Sequence, residues 1–286
     1  MISLQRRDTV SIYGELRFLT WAGVMLIAAG VGGIVTKHLD EIGPLAIATA
    51  IGLASIACYV WCFWRRRTAR VSLVDDYILL LAALLASADV GFIEHQFHLL
   101  GDGAWQRHFL LLAVLHGVIA YIFDSRMVLS LAISALAAYL GVERRNAFLW
   151  ESGGNAARAF LCAAAIFAWR FLDARYRKAT TFTRVFDHFA TNIAFWGTLS
   201  MMTESSTRVG GCLLAILFAA ASATYGVRKR EEAFVIYGWI YGVIAIDVLI
   251  VNQIRGSDAT FFYLLVSTIA ATIGLSMTHA RMRRQS

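Results

Sequence analysis

Six residues inside apolar stretches carry the side chains best suited to chemistry within a bilayer: Asp89, His116, Asp187, His188, Asn192 and Asp247. A carboxylate there can carry a proton or hold a cation, and an imidazole changes charge near neutral pH. Asp89, His116 and Asp247 together would support a proton- or cation-coupled site. An Asp at the centre of a spanning helix costs about 2.5–3.5 kcal/mol to insert, so it faces the bundle interior or water. The alternative is structural, with each group bonding a Ser, Thr or Tyr of a neighbouring helix. Asp187 and His188 stand near one mouth of their segment, and Thr191 and Asn192 continue the polar face at i+4 spacing. That segment is a candidate cavity wall; a simple interfacial position is the other explanation. Arg158 is placed either to bind an anionic group or to snorkel its head to the lipid headgroups.

Other reactive types point less far. Glu94, His95, His98 and His108 are the right ligands for a surface metal, but the reading kept is of flexible outer residues, and no metal is assigned. Cys58, Cys62, Cys162 and Cys212 all lie in apolar segments, as small buried hydrophobes rather than a disulfide framework. Haem needs facing histidines at matching depth, which His116 and His188 do not offer, and the cofactor is left unknown. The sequence holds no serine nucleophile elbow, zinc-protease helix or phosphate loop. An enzyme is disfavoured, although intramembrane enzymes can work with dispersed residues.

The elements that must position these residues follow from hydropathy. The chain is 59% apolar and 16% charged, whereas soluble domains are about half apolar and about a quarter charged. Runs long enough to span, about 20 mostly apolar residues, fall near 16–35, 44–64, 77–95, 107–123, 126–142, 155–172, 183–203, 209–227, 233–254 and 259–278. Helices are the expected form, because lipid offers unpaired backbone groups no partner. The expected fold is therefore an all-α polytopic bundle of about ten spans, a single integral membrane domain over residues 1–286. The 183–203 run is the most polar of them.

Charge gives an orientation. With ten spans and a cytoplasmic N-terminus, 19 Lys and Arg residues fall inside and 7 outside, as the positive-inside rule requires. Dropping 183–203 would send the Arg228–Arg230 and Arg281–Arg284 clusters outside, so that run is retained and both termini are cytoplasmic. The net charge of +7 then belongs to short loops that meet anionic lipid, which argues against a nucleic-acid partner. Asp89 and Asp247 lie about 18 and 21 Å along their spans at a rise of roughly 1.5 Å per residue, both beyond the midplane, and His116 is near the middle of its own.

Three short matches recur in order. Ala86-Ser87-Ala88-Asp89-Val90-Gly91 resembles Ala221-Ser222-Ala223-Thr224-Tyr225-Gly226. Gly117-Val118-Ile119-Ala120 recurs as Gly242-Val243-Ile244-Ala245, and Ser134, Ala137, Ala138 and Gly141 match Ser267, Ala270, Ala271 and Gly274. Each pair is five spans apart. This suggests two inverted five-helix repeats, 16–142 and 155–278, the arrangement of many secondary transporters; chance matching among Ala-, Ser- and Gly-rich helices is the competing explanation. Gly238-x-x-x-Gly242 would allow close helix approach.

The stretch from Leu16 to about Trp61 resembles a family of bacterial predicted membrane proteins known only as a domain of unknown function. The resemblance rests on Trp21-Ala22-Gly23-Val24, Gly30-Val31-Gly32-Gly33 and His38-Leu39-Asp40-Glu41-Ile42-Gly43-Pro44. It implies a bacterial inner-membrane protein and brings no activity with it. The span number is also similar to that of the ten-helix drug/metabolite transporters, a likeness of architecture only. Three functions fit: a small secondary transporter or permease with a midmembrane polar site, taking a small molecule or ion; a non-catalytic subunit or scaffold with a partner membrane protein; and an intramembrane lipid-modifying enzyme. Membrane lipids are partners in all three.

Overall fold

A helix satisfies its own backbone, and every long apolar run among the described residues is helical. The computed structural model describes residues 43–68, 73–97, 105–141, 155–176, 182–254 and 256–285, with isolated positions between 19 and 37. Among the described residues all regular structure is helical: α1 (Pro44–Thr68), α2 (Leu73–Phe97), α3 (Trp105–Phe123), α4 (Arg126–Tyr139), α5 (Asn155–Tyr176), α6 (Thr183–Thr203), α7 (Arg208–Lys229), α8 (Glu232–Val251) and α9 (Ser257–Gln285). The expected span at 16–35 lies, apart from isolated positions, outside the described residues.

Helices α1, α2, α5, α7, α8 and α9 contain stretches long and apolar enough to cross a membrane, and Arg107–Phe123 and Arg126–Tyr139 are apolar but shorter. The chain is a multi-pass helical membrane protein. Helix α6 runs 21 residues, yet its polar residues keep it out of those six. The expected 126–142 span ends early, because Gly141 takes φ 75° and closes α4.

The chain divides into two compact units, Met1–Ala135 and Leu136–Ser286. In the first, α1 ends on Arg65, Arg66 and Arg67 while α2 begins with Asp75 and Asp76. Cations suit a helix C-terminus and anions an N-terminus. Arg65 Nε meets Asp75 Oδ1 at 3.3 Å across the turn. Ala82 and Ala83 are fully buried, and their small side chains let Ser55 of α1 donate its hydroxyl to the Ala82 carbonyl at 2.9 Å. Ile47, Ile51 and Leu85 extend that seam, and Tyr77 and Leu80 receive Met127 and Leu131 of α4.

The second unit is built on the α7–α8 hairpin, whose link is only Arg230 and Glu231. Arg230 takes the left-handed conformation, φ 56°, and Glu231 N–H reaches back to Gly226 O at 2.9 Å. This is a Schellman turn with arginine where glycine is usual. The helices then touch closely: a methyl group on Gly238 would stand 2.5 Å from Ala219 O. Ser222 donates to Phe234 O at 2.8 Å. Cys162, Ile166, Phe186, Phe195, Cys212 and Ala215 are fully buried where α5, α6 and α7 pack. All four cysteines are free thiols, Cys58 half-buried and the others buried.

Candidate functional site

Helix α6 separates its polar residues by face. One face, bearing Asp187 and Thr191, lines a partly open cavity of about 430 Å³ whose walls also come from α5 (Phe167, Arg170), α7 (Phe218, Ala221, Ser222, Tyr225) and α8 (Phe234). The lining is mostly apolar and includes five aromatic rings, with Phe195 of α6 as the fifth.

Its charge is concentrated at one end. Arg170 Nη2 donates to Asp187 Oδ2 at 3.3 Å, and Arg170 Nε forms a close ion pair with Asp187 Oδ1. Tyr225 adds its hydroxyl to Asp187 Oδ2 at 3.0 Å. The Asp187 side chain is 11% exposed and that of Arg170 33%. A buried carboxylate needs this much compensation, since desolvation otherwise costs several kcal/mol, as rough order. The planar guanidinium supplies it through one hydrogen bond and one close charge contact. Arg184 is paired with Glu231 nearby on the exposed side.

The other face of α6 turns to α8. His188 Nδ1 lies 3.2 Å from the Tyr237 hydroxyl, and its ring stacks on Phe234 at 4.8 Å. One turn on, Asn192 donates to His188 O at 2.8 Å and accepts from Tyr241 at 3.4 Å. Tyr241 in turn stacks on Phe195 at 4.1 Å. His188 and Asn192 thus form two rungs with tyrosines four residues apart, beside the cavity wall rather than within it.

Asp247 stands elsewhere in this unit. It accepts from Tyr263 at 2.8 Å and Ser267 at 2.7 Å, both from α9. It lines a second cavity, also of about 430 Å³, with Arg208 and Asn252, which are joined by a 2.7 Å hydrogen bond. Arg158 is half-buried, and a methyl group on Gly141 would meet its Nη1 at 3.3 Å.

In the first unit Asp89 and His116 take different directions. His116 is 1% exposed, and its Nε2 lies 2.7 Å from Ser87 Oγ. The Ser87 hydroxyl also donates to Ala83 O at 3.0 Å. Both bonds coexist when His116 Nε2 carries the proton, with Nδ1 lacking a partner among the described residues. Asp89, two residues beyond Ser87, leaves α2 about 200° around the axis. Its Oδ2 lies over Gly52 of α1, 2.9 Å from where a methyl group would stand. Its buried Oδ1 has no hydrogen-bond partner among the described residues. Glu94 and His108 are buried and His95 is exposed, while His98 lies outside the described residues. No group of three His, Cys, Asp or Glu converges for a metal among the described residues.

Within the second unit the four polar residues therefore do not form one constellation. Asp187 belongs to one cavity, Asp247 to another, and His188 and Asn192 to a helix seam. Arg170, Tyr225, Tyr237 and Tyr241 were not singled out by the sequence. Arg170 read there as one of the charges that orient the chain, and aromatic residues in apolar helices carry no sign of which face they share.

Comparison with known proteins agrees with the membrane assignment. Residues 3–129 match the family described as "Predicted membrane protein (DUF2157)". The match runs past the opening stretch that suggested it, through α1, α2 and α3 into the start of α4. No curated protein and no solved structure matches the chain.

Proposed function

We propose that this protein is a small secondary transporter of the bacterial inner membrane, ten-spanning with both termini in the cytoplasm, whose substrate cavity lies among α5, α6, α7 and α8. The observation that carries the reading is the cavity itself: about 430 Å³ with an apolar aromatic lining and a charged group at one end. Ligand sites are commonly apolar clefts of about 300–1,000 Å³ with few, placed polar groups. In the ten-span orientation the Arg170–Asp187 end faces the cytoplasm.

A second observation supports the inverted repeat on which alternating access would run. Ser87 and Ser222 occupy the same place in the recurring Ala-Ser-Ala motif. Ser87 contacts His116 of α3, the next helix, and Ser222 contacts Phe234 of α8, the next helix. Gly91 and Gly226 close the two motifs; Gly91 lies against His108 and Gly226 against Val235, on those same helices.

The test is thiol accessibility. The four cysteines are replaced by serine, and Thr191→Cys is treated with a membrane-impermeant methanethiosulfonate in intact cells and in inside-out vesicles. A transporter exposes this position to both sides in turn, so labelling from both is expected. Labelling from one side only, or from neither, rejects transport through this cavity. It would favour the non-catalytic subunit, a reading that the hydrogen-bonded Asp247 supports on its own account.

A further inference from the structure

The charges at the end of the α5–α8 cavity are unequal in mobility, and that difference identifies a ligand class. Asp187 is a short side chain, 11% exposed, fixed by Tyr225 as well as by Arg170. Arg170 is long and 33% exposed, with only the last two turns of α5 beyond it. A guanidinium on a flexible stem can leave a carboxylate once another cation takes its place; the carboxylate cannot leave the cavity without distorting α6. The fixed charge facing the cavity is therefore negative.

The walls are aromatic. An aromatic face is the negative end of a ring quadrupole and attracts cations, most strongly when they are poorly hydrated. Phe195, Phe218 and Phe234 line the cavity together with Tyr225. Phe195 and Phe218 meet edge to face at 6.3 Å, and Tyr225 and Phe234 do so at 5.1 Å. An organic anion would find only the Arg170 donors not engaged by Asp187, beside a carboxylate that repels it.

Resting on the transport reading above, we infer that the cavity takes an organic cation with a largely apolar body, which displaces Arg170 from Asp187. Arg170 is a tethered surrogate for the substrate: it neutralises Asp187 while the cavity is empty and swings away when the cation arrives. No bond is made or broken, and the charge of the site is unchanged by the exchange. A purely structural ion pair has no such relation to a ligand, because removing either partner would only weaken the protein.

The experiment is equilibrium dialysis of the full-length protein in nanodiscs against tetraphenylphosphonium and, separately, tetraphenylborate, which share shape and differ in sign. Saturable binding is expected for the cation alone. Asp187→Asn should weaken it at least tenfold, as a rough order for losing a desolvated charge partner. Arg170→Gln should tighten it about tenfold, because a competitor that holds the site most of the time reduces apparent affinity by the fraction of time the site is open. If Asp187→Asn does not fold, Arg170→Gln and Phe218→Leu carry the test, the latter weakening cation binding a few-fold by loss of its ring face. Saturable tetraphenylborate binding that Arg170→Gln abolishes overturns the assignment of sign. Unchanged or weaker cation binding in Arg170→Gln overturns the surrogate. A protein that binds neither ion yet labels at Thr191→Cys from both sides keeps its transport reading and loses this one.

Discussion

Replacing Gly238 by alanine adds one methyl group at the closest point of the α7–α8 seam, and its cost can be worked from the geometry. The new carbon would stand 2.5 Å from Ala219 O, 3.0 Å from Ala223 N and 3.1 Å from Ala223 Cβ. Two of these are backbone atoms and cannot rotate away. Reaching an ordinary C···O separation of about 3.3 Å parts the helices by about 0.8 Å. A gap of that size forfeits roughly a quarter to a half of each dispersion contact along the seam. Overpacking of this kind costs about 1–3 kcal/mol, and this site belongs at the upper end. Alanine returns about 1 kcal/mol in helix propensity, which leaves a net loss of about 2 kcal/mol.

The control is one turn away. At Gly242 the nearest contact would be Ala219 Cβ at 3.3 Å, a side-chain atom needing only a slight shift, so Gly242→Ala should come out near neutral. Thermal unfolding in detergent, followed by far-UV circular dichroism, should separate the two variants by about 4–8 °C, taking roughly 2–4 °C per kcal/mol for a chain of this order of size. Equal melting temperatures would refute the close approach, because propensity alone treats the two positions alike.

Other expectations concern the polar contacts. Asp247→Asn and Tyr263→Phe should each cost about 1–2 kcal/mol, with the double variant less destabilised than their sum by about 1 kcal/mol; strictly additive losses in thermal unfolding would dismiss the α8–α9 contact. Ser87→Ala strips a deeply buried imidazole of its partner and should cost about 1–3 kcal/mol, and an unchanged melting temperature would mean that His116 is satisfied some other way. Alkaline phosphatase fused after Ser286 should be inactive and a fluorescent protein there should fluoresce; the opposite pair of results would break the ten-span topology.

Much of the fold was legible because hydropathy and the helix share a cause: a bilayer tolerates only backbones that satisfy themselves. The polar 183–203 run, retained on charge balance, is a helix with those bounds. Ends were less legible. The run expected at 44–64 continues to Thr68, and that at 77–95 starts at Leu73, since hydrogen bonding does not stop where side chains turn polar. Arg65, Asp75 and Asp76 even favour those extra turns.

The site was half legible. Asp187 is conspicuous as a charge in an apolar run, but its partners Arg170 and Tyr225 lie 17 and 38 residues away on other helices. Which faces meet is decided by packing, as Gly226 and Gly238 let α7 and α8 close. Asp247 shows the same gap from the other side. Its expense in lipid was evident, but whether Tyr263 and Ser267 meet it depends on the rotation of α9.

The two-residue link at Arg230 and Glu231 also has a bearing on how the protein is made. Synthesis at about 5–20 residues per second delivers the 42 residues of α7 and α8 (22 and 20) over several seconds, whereas a helix forms within about a microsecond. With so little chain between them, the pair should leave the insertion machinery together as a closed hairpin; in the proposed orientation its three basic residues Arg228, Lys229 and Arg230 stay on the side of synthesis. Helix α9 then arrives at a surface already finished. It needs only to settle the Trp239 indole N–H onto Ala271 O, 2.9 Å away, and its Tyr263 and Ser267 hydroxyls onto Asp247. A residue inserted into that link should therefore lower the yield of inserted protein before it alters anything the mature molecule does.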